Sequence, residues 1–347
     1  MSRVLAFAYP GDLSLRTGGY GYDRRVIAEL QALGWTVTLL PLGDGFPAPS
    51  AETLANAEAA LSALPDRSLV VIDGLAYGVL DSWANAEAER LRIVALVHHP
   101  LALETGLASD EQARLRASER RALEAARHVI VTSPMTAREL SANFAVSPER
   151  ITVALPGTDP AEPAGGAHSV PQILSVGTLS QRKGHDILIA ALKTIEDLDW
   201  QATIIGSRTL DPATTGALER QIETLGLGQR IQLTGEIQDP RPAFAAADLF
   251  ALASRYEGYG MVFAEALAHG LPIVACAAGA VPEVVPPAAG LLVPVDNVEA
   301  FASALRRLLE DGKERRGRAA AAYAAGSELP SWTDSAAIIA RSLDVLA

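Results

Sequence analysis

One stretch of the chain, residues 248–276, combines two buried strands, a glycine turn and an apolar helix. Asp248–Ala253 and Pro272–Cys276 are apolar runs that predict buried strands. Between them, Gly258 and Gly260 predict a turn that leads directly into a helix. This order of elements is typical of an open parallel sheet, in which ligands bind at the carboxyl ends of the strands. The stretch therefore predicts an α/β fold with a ligand site at the turn.

Two carboxylates, those of Glu257 and Glu265, bracket this turn. Gly258 and Gly260 have no Cβ, so backbone N–H groups can close on an anion, and the helix that follows adds partial positive charge. A carboxylate only accepts hydrogen bonds, which matches it to vicinal sugar hydroxyls. Acids at both ends with N–H donors between them suit a sugar, a diphosphate and a ribose in a row. The alternative is a solvated turn followed by a surface helix with an ordinary glutamate.

The composition is that of a globular protein. Its 347 residues are enough for two domains, and the net charge of −12 argues against general nucleic-acid binding. The only cysteine, Cys276, allows no intrachain disulfide and fits a reducing cytoplasm. No apolar run approaches the roughly 18 residues of a membrane-spanning helix, and Val4–Tyr9 predicts a first strand instead of a signal peptide. We therefore expect a cytoplasmic protein.

The chain contains two successive series of strands and helices. Residues 160–168, rich in alanine, glycine and proline, predict a linker, and a second series starts at Gln172. We therefore expect domains at residues 1–165 and 166–329, with a final helix within residues 330–347. Two Rossmann-like halves leave a cleft between them, which is a favoured place for small ligands.

A basic loop opens the second half of the chain. The strand that starts at Ile173 leads to Gly177 and Thr178, and Arg182 and Lys183 follow on the loop. A nucleoside diphosphate carries about two negative charges and needs compensating cations beside two glutamates. Arg182 provides a bidentate donor and Lys183 a point charge. Because the whole chain has only three lysines, one in this loop is informative. The alternative is a solvated basic loop.

Two adjacent histidines follow the predicted strand Arg92–Val97. His98 and His99 lie at the carboxyl end of that strand, where sites form, and an unperturbed imidazole titrates near neutral pH. Adjacent residues of an extended chain point in opposite directions, so we expect one histidine to face a ligand and predict no metal site. Glu104, on the same loop, is a candidate for contact with an acceptor.

A glycine-containing loop, residues 10–22, precedes the predicted helix Asp23–Leu33. The loop carries Gly18 and Gly19 but lacks the third glycine of a dinucleotide fingerprint. It is also too long for that turn, so the sequence does not support an NAD site.

The predicted helix Glu111–Arg127 is rich in arginine. Glu119 and Glu124 are interleaved among the arginines, which predicts a solvated amphipathic helix. The alternative is that Arg114–Arg127 makes peripheral contact with the inner face of an anionic membrane, or with an acidic acceptor.

Several motifs together carry a family resemblance. Glu257 and Glu265, with seven residues between them, match an E-x7-E signature, and Gly270–Ala275 and Gly279–Glu283 continue it. On these motifs the chain resembles the retaining glycosyltransferases of family 4, which have the GT-B fold. The resemblance covers the whole chain and is strongest from Ile173 to Val295. It implies two Rossmann-like α/β domains facing across a cleft, with the last helix crossing back onto the first domain.

The resemblance also implies an activity. A hexose-type sugar would be transferred from a nucleotide-diphosphate donor, most commonly a UDP-sugar, with retention at the anomeric carbon and without an essential metal. Lipid, polysaccharide and small-molecule acceptors all stay open. A GT-B-fold nucleotide-sugar 2-epimerase is the alternative enzyme, and a sensor that binds a sugar nucleotide without turnover is a third class.

Individual residues acquire roles from the same resemblance. It implies that His98 lies beside the donor sugar, Glu257 near the anomeric carbon and Glu265 on the ribose. The family usually has Gly-Arg where this chain has Gly177-Thr178, so the phosphate arginine is either Arg182 or missing. The predicted catalytic residues are Glu257, His98 and Lys183; the predicted donor-binding residues are Gly177, Thr178, Arg182, Lys183, Gly206, Ser207, Glu236, Ile237, Gly258, Tyr259, Gly260, Met261, Val262 and Glu265; the predicted acceptor-side residues are Gly18, Gly19, His99 and Glu104.

Overall fold

The computed structural model describes residues 3–165 and 168–346. They divide into two compact units. One unit contains the chain up to Gly157 together with the chain from Pro330 onward, and the other contains Thr158–Leu329. Each unit has its own parallel sheet.

The predicted linker, residues 160–168, makes its contacts within the second unit. Its described residues contain no helix or strand. The backbone N–H of Ala164 donates a hydrogen bond of 2.8 Å to the carbonyl oxygen of His269. Residues 166 and 167, where the predicted domain boundary falls, lie outside the described residues. By its contacts, the chain changes unit between Gly157 and Thr158.

The first unit is built on a six-stranded parallel sheet. Its strands are β1 (Val4–Tyr9), β2 (Thr36–Pro41), β3 (Leu69–Asp73), β4 (Arg92–Val97), β5 (His128–Val131) and β6 (Ile151–Val153). They lie in the order β2-β1-β3-β4-β5-β6. The helices between them are α1 (Gly18–Ala32), α2 (Ala51–Ser62), α3 (Gly74–Tyr77), α4 (Asp81–Glu87), α5 (Ser109–Ala125) and α6 (Pro134–Asn143), with short 3-10 helices at Leu101–Leu103 and Pro148–Arg150. The strand order reverses between β1 and β3.

The second unit repeats the architecture with another strand order. Its strands are β7 (Gln172–Val176), β8 (Gln201–Ile205), β9 (Ile231–Gly235), β10 (Leu249–Leu252), β11 (Ile273–Cys276) and β12 (Gly290–Val293). They lie in the order β12-β11-β10-β7-β8-β9, all parallel. The helices are α7 (His185–Thr194), α8 (Pro212–Thr224), α9 (Arg241–Ala245), α10 (Met261–Ala268), α11 (Val281–Val284), α12 (Val298–Glu310) and α13 (Gly312–Ser327), and Gln181–Lys183 is a 3-10 helix. This order reverses between β7 and β10.

The central strands of both sheets are buried on both faces. Every residue of β3, β10 and β11 is buried. Helices that cover both faces of a parallel sheet produce such continuous apolar strands. Each fully buried Val, Leu or Ile side chain stabilises the fold by about 1.5–3 kcal/mol. These apolar runs therefore determine which strands lie at the centre of each sheet.

The last helix, α14 (Trp332–Leu346), packs within the first unit. The Trp332 ring lies edge-on to the Tyr22 ring, with 5.8 Å between their centroids. At the other end of the helix, Arg3 and Asp344 form an exposed ion pair at 2.7 Å, and such surface pairs contribute about 0–1 kcal/mol. The apolar face therefore contributes most to holding α14 in place. Its buried residues are Trp332, Ser335, Ala336, Ile339, Ala340 and Leu343.

Helix α1 begins at Gly18, so the prediction of a loop that extends to Tyr22 is wrong. The Thr17 side chain caps the helix by accepting a hydrogen bond from the backbone N–H of Tyr20. The N–H of Gly21 donates to the Thr17 carbonyl at 2.9 Å. Each glycine costs a helix about 0.5–1 kcal/mol relative to alanine. The cap and the buried residues later in α1 outweigh that cost.

Helix α5 carries one of the two predicted solvated glutamates into the core. Glu119 is only 1% exposed, and one of its carboxylate oxygens accepts a hydrogen bond of 2.9 Å from the N–H of Leu101. The other oxygen has no partner among the described residues. Burial raises the pKa of Glu119 to about 8, although the Leu101 N–H and the charge of Arg116 act in the opposite direction. Glu119 therefore supports the loop that follows β4, and its expected solvation is wrong.

The Glu119→Gln variant should reduce the loss of stability at alkaline pH. A carboxyl whose pKa is higher in the folded than in the unfolded protein leaves the fold most stable below its unfolded pKa, here 4.5. That stability is lost as the pH rises through the folded-state pKa, here about 8. Glutamine keeps an acceptor for Leu101 and has no charge to bury. The free energy of unfolding in urea, measured at about pH 6 and about pH 9, should fall less in this variant than in the wild type.

Glu124→Gln is the matched control, because Glu124 is exposed on the same helix. It should keep the pH dependence of the wild type. The same pH dependence in both variants would show that Glu119 is not the buried titrating group.

Candidate functional site

The second sheet brings two functional segments together where its strand order reverses. Read from β9, the order is β9-β8-β7-β10-β11-β12, which is that of dinucleotide-binding folds, whose ligands lie at the reversal. The segment after β7 carries Lys183, and the turn after β10 carries Glu257. Because β7 and β10 are paired neighbours, these segments leave the sheet side by side.

Lys183 and Glu257 form a buried ion pair. The Lys183 Nζ lies 2.6 Å from Oε1 of Glu257, and the Ser254 hydroxyl donates to the same oxygen at 2.6 Å. Arg182 Nη1 lies 3.5 Å from Oε2 and donates to the carbonyl of Tyr256 at 3.1 Å. Glu257 is 4% exposed, and the Lys183 side chain is 12% exposed. Lys183 therefore points to the turn ahead of α10 and not into bulk water.

The charges around Glu257 keep its carboxyl ionised. Burial by itself raises the pKa of Glu257. The charges of Lys183 and Arg182, with the hydrogen bonds from Lys183 and Ser254, outweigh burial and hold this pKa below its usual value. Two cations therefore lie beside one carboxylate and keep it charged in the interior.

Arg255 ties the basic loop to the turn. Its guanidinium pairs with Asp186 at 2.8 Å and with Asp296 at 2.7 Å, and it donates to the carbonyl of Gln181. Its backbone N–H donates to the carbonyl of Arg182 at 2.7 Å. A planar guanidinium with several acceptors holds these segments in one geometry. The two halves of the ion pair are therefore fixed relative to each other.

Two glycines allow the backbone to close around Glu257. Gly260, the residue before α10, has a φ of +93°, and a methyl group there would lie 2.6 Å from the Phe263 ring. Gly279 has a φ of +54°, and a methyl group there would lie 2.2 Å from the carbonyl oxygen of Glu257. Glycine is the residue that adopts such angles at little cost. The N–H of Phe263 donates to the Gly260 carbonyl at 2.9 Å, so the N–H groups of Met261 and Val262 are those that lie at the positive end of the helix dipole.

Glu265 is the second carboxylate of the signature and lies within α10. It is partly buried, and burial together with the charge of Asp159 raises its pKa to about 7. None of the described residues donates a hydrogen bond to its carboxylate. Its carboxylate can therefore accept hydrogen bonds from a ligand or from water.

The other residues predicted to bind the donor lie at the same edge of the second sheet. Because carboxyl ends of parallel strands meet at one edge, segments that are distant in sequence converge there. Tyr259 is 6% exposed, so its side chain belongs to the core and only its backbone is available. Gly177 and Thr178 follow β7, Gly206 and Ser207 follow β8, Glu236 and Ile237 follow β9, and Gly258, Tyr259, Gly260, Met261 and Val262 form the turn and the start of α10.

A second group of polar residues lies in the first unit, where its strand order reverses. Asp73 ends β3, His98 follows β4, and Asp23 lies in α1, which follows β1. The His98 Nε2 lies 3.1 Å from Oδ1 of Asp23 and 3.4 Å from Oδ2 of Asp73. Both aspartates are buried, at 0% and 3% exposure. We call these three residues the His98 cluster.

The predicted acceptor-side residues form two pairs, Gly18 with Gly19 and His99 with Glu104. A methyl group at Gly19 would lie 3.4 Å from Cδ2 of His98, whereas one at Gly18 would meet nothing within 4 Å. The His99 Nε2 lies 3.2 Å from Oε2 of Glu104. Gly19 therefore borders the cluster, and His99 is paired with the glutamate predicted for the same role.

Sequence reasoning missed four residues that organise these groups. Asp23 and Asp73 hold His98, while Ser254 and Arg255 hold the ion-pair segment. One signal was available, because the apolar run Leu69–Asp73 predicts a strand, and Asp73 ends that strand at the same sheet edge as His98. Nothing local in the sequence marks the other three.

Two of the four arginines of α5 contact groups outside the helix. Arg116 lies over the Phe144 ring at 5.4 Å, and Arg121 pairs with Asp81 at 2.7 Å. Contact of this helix with an anionic membrane surface stays a prediction. Among the described helices, none combines the length and the apolar character that crossing a bilayer requires.

Gly279→Ala should destabilise the second unit and displace Glu257. The added methyl group would meet the Glu257 carbonyl at 2.2 Å, at a φ that L side chains rarely adopt. Overpacking and backbone strain of this kind cost about 1–3 kcal/mol. The free energy of unfolding in urea measures the effect.

Gly317→Ala, where a methyl group meets nothing within 4 Å, is the control and should be neutral or stabilising. Equal stability of the two variants contradicts the close approach at Gly279.

Two family models match separate segments of the chain. The family model described as Glycosyl transferases group 1 matches residues 170–311, and that of Glycosyltransferase Family 4 matches residues 66–162. The first segment contains the Lys183–Glu257 pair, and the second contains two members of the His98 cluster.

Curated relatives are glycosyltransferases by name. D-inositol 3-phosphate glycosyltransferase of Arthrobacter sp. (strain FB24) is 31% identical over 291 residues, which cover 75% of this chain and 67% of the relative. A GDP-mannose-dependent monoacylated alpha-(1-6)-phosphatidylinositol monomannoside mannosyltransferase of Corynebacterium glutamicum is 34% identical over 181 residues, 48% of this chain and 45% of the relative. Neither relative supports the epimerase alternative.

Solved structures show the same fold. Sucrose-phosphate synthase from Thermosynechococcus elongatus has a TM-score of 0.83 and 23% identity, with 99% of each chain covered. Anabaena HepE, solved in complex with UDP-glucose, has a TM-score of 0.78 and 22% identity, with 98% of this chain and 100% of that chain covered. The predicted fold class, two Rossmann-like α/β domains of GT-B type, is confirmed by these matches and by the two parallel sheets. From the family matches and the identity to its relatives, the chain belongs to glycosyltransferase family 4 and is a glycosyltransferase.

Proposed function

We propose that the protein transfers a sugar from a nucleoside-diphosphate donor that binds where the strand order of the second sheet reverses. The observation that carries the proposal is the buried Lys183–Glu257 pair beside the first turn of α10. A lysine and the N–H groups at the start of a helix suit a diphosphate, and a carboxylate suits sugar hydroxyls. Glu265, whose carboxylate receives no hydrogen bond from the described residues, suits the ribose hydroxyls.

In this proposal, donor binding exchanges the partners of the ion pair. Lys183 turns from Glu257 to the diphosphate, and Glu257 accepts hydrogen bonds from the sugar. Breaking a buried pair by removing one partner costs about 3–5 kcal/mol, because it leaves an uncompensated charge. An exchange avoids that cost, since each charge leaves one partner only when the ligand supplies another.

The reaction itself depends on stabilising the diphosphate as it departs. As the glycosidic C–O bond lengthens, negative charge accumulates on the leaving oxygens. Lys183, Arg182 and the N–H groups at the start of α10 are placed before the reaction, so they stabilise this charge without reorganisation. Preorganised donors of this kind each contribute about 10²–10³ in rate.

We propose retention at the anomeric carbon without a covalent glycosyl-enzyme intermediate and without an essential metal. A retaining glycosidase uses a free carboxylate as nucleophile, about 5 Å from a second carboxyl. Glu257 instead accepts a hydrogen bond from Ser254 and, once the donor is bound, from the sugar hydroxyls, which lowers its nucleophilicity. His98 is assigned to the donor sugar, and Glu257 is an electrostatic and orienting group beside the anomeric carbon.

The donor that we propose first is a UDP-sugar, with GDP-mannose as its competitor. Anabaena HepE, which has the same fold, was solved with UDP-glucose. The Corynebacterium relative is named for GDP-mannose, and its identity to this chain is higher. In either case the segments after β8 and β9 would contact the base.

For the acceptor, we propose a hydroxyl-rich molecule that carries a phosphate. The named relatives act on D-inositol 3-phosphate and on a phosphatidylinositol monomannoside. One of these is a small molecule and the other a lipid, and both combine a polyol ring with phosphate. The His99–Glu104 pair, with both donor and acceptor capacity, is the proposed contact for its hydroxyls.

Nucleotide sugars should raise the melting temperature of the protein in a thermal-shift screen. A ligand that binds the folded state at a hundred times its Kd stabilises it by about 2.7 kcal/mol. UDP, GDP, UDP-glucose and GDP-mannose are the informative ligands, and the two nucleobases decide between the donors proposed above. If no sugar nucleotide changes the melting temperature, the proposed donor site does not exist.

Lys183→Ala and Glu257→Gln should each lower kcat/KM for transfer by at least about tenfold, because each removes a group that acts on the departing donor. Release of nucleoside diphosphate in the presence of acceptor measures the rate. Lys193→Ala is the control, since Lys193 pairs with Glu196 on the surface of the same unit. Near-normal transfer by both site variants would remove the Lys183–Glu257 pair from the mechanism.

A further inference from the structure

The His98 cluster contains two buried aspartates to which neither the signature nor the relatives give a role. Both carboxylates approach the same ring nitrogen, Nε2 of His98, from different elements of the first unit. The second oxygen of Asp23, Oδ2, is buried and has no partner among the described residues. Two buried carboxylates around one imidazole are costly unless their charge is compensated.

The surroundings of His98 leave one edge of the ring free. The Tyr22 ring packs edge-on at 5.3 Å, and Gly19 lies against the Cδ2–Nε2 edge. The Thr132 hydroxyl donates to the His98 carbonyl at 3.2 Å and fixes the backbone. The side chain is still 21% exposed, and Nδ1 has no hydrogen-bond partner in residues 3–165 and 168–346. The Nδ1 edge is therefore the part of the ring that a ligand can reach.

A protonated imidazole compensates the charges of both carboxylates at once. A neutral ring with its proton on Nε2 would leave two ionised carboxylates side by side, unless Asp23 itself took up the proton. Burial by itself lowers the pKa of His98, but the charges and hydrogen bonds of Asp23 and Asp73 outweigh it and raise this pKa to about 10. Burial, with the charge of Asp73, raises the pKa of Asp23 to about 7, although His98 acts in the opposite direction.

We propose that Asp23 and Asp73 are positioning residues that hold His98 as an imidazolium cation and present its Nδ1–H as a charged donor to the ligand. A charged donor makes shorter and stronger hydrogen bonds to hydroxyl and phosphate oxygens than a neutral one. The contact of His98 with a donor sugar rests on the proposed function. The protonation of His98 and its interactions with the two aspartates do not.

A divalent cation in the place of the shared proton is the rival explanation. One ligand atom from each of the three residues lies within 4.8 Å of the others. The distances from Nε2 to the two carboxylates, 3.1 and 3.4 Å, are already those of hydrogen-bonded and ion-paired groups. They are explained without a metal, and the experiment below separates the two explanations.

The two tyrosines beside the cluster do not titrate near neutral pH. The Tyr20 hydroxyl donates to the Pro10 carbonyl, and burial with the charges of nearby aspartates raises its pKa to about 12. Burial raises the pKa of Tyr22 far above its usual value, and its hydroxyl donates to the Ala154 carbonyl. His99, the neighbour in sequence, pairs with Glu104.

Histidine-ring ¹⁵N NMR of the whole protein tests the protonation state directly. The His98 signal is assigned by its loss in His98→Gln and followed from about pH 5.5 to about pH 9. In the wild type it should stay in the imidazolium form throughout this range. In Asp23→Asn, and independently in Asp73→Asn, its titration should move down into the range. Asp66→Asn, at a carboxylate that is 81% exposed on the same unit, should behave as the wild type does.

The pH profile of transfer supplies the second readout. Loss of one carboxylate should move the alkaline limb of kcat/KM to lower pH by at least about one unit, because the imidazolium then deprotonates earlier. A purely structural role of the aspartates would lower activity by the same factor at every pH. That outcome would overturn the positioning role.

Three results separate the explanations further. A His98 signal that titrates near pH 6.5 in the wild type overturns the proposal without any variant. A change of that signal on addition of EDTA, or on addition of Zn²⁺ or Mn²⁺ at micromolar concentration, overturns it in favour of a bound metal. If no sugar nucleotide is a donor, the proposed function fails, while the NMR titration still decides the state of His98.

Discussion

A buried carboxylate is expensive, and the second unit is arranged around the compensation of one. Glu257 would cost several kcal/mol in the interior without partners. Lys183, Ser254 and Arg182 supply them, so the loop after β7 and the turn after β10 must stay together. Arg255 reinforces that contact from the other side. The groups that stabilise the ligand-free protein are thus the same groups that we assign to the donor.

Both units use the reversal of strand order for the same physical reason. At a reversal, neighbouring connections leave the sheet in opposite directions and open a crevice at the carboxyl ends of the strands. Polar side chains in such a place can be buried against each other and still face a ligand. The first unit places the His98 cluster there, and the second places the Lys183–Glu257 pair there. In both, opposite charges compensate each other before any ligand arrives.

Local sequence patterns predicted the helices, strands and turns that are determined by residues adjacent in the sequence. Apolar runs located β3 and β4 to the residue, and the stretch around Glu257 predicted a strand, a turn and a helix in the correct order. Local patterns failed where distant packing decides. The glycines ahead of Tyr22 predicted a loop. The Thr17 cap and the buried residues later in α1 instead make them the first turn of that helix. Glu119 was predicted to be solvated, but its carboxylate is buried in the core and accepts a hydrogen bond from the Leu101 N–H.

The sequence by itself determined the fold class, the turn with its two glutamates and the basic loop, because each of these is a contiguous pattern. It could not determine which charges compensate which, since the partners are far apart in the chain. Lys183 and Glu257 are 74 residues apart, and His98 and Asp23 are 75 apart. Only the parallel sheet, by bringing the ends of distant strands to one edge, made these pairs, and the cost of burying an uncompensated charge then settled their geometry.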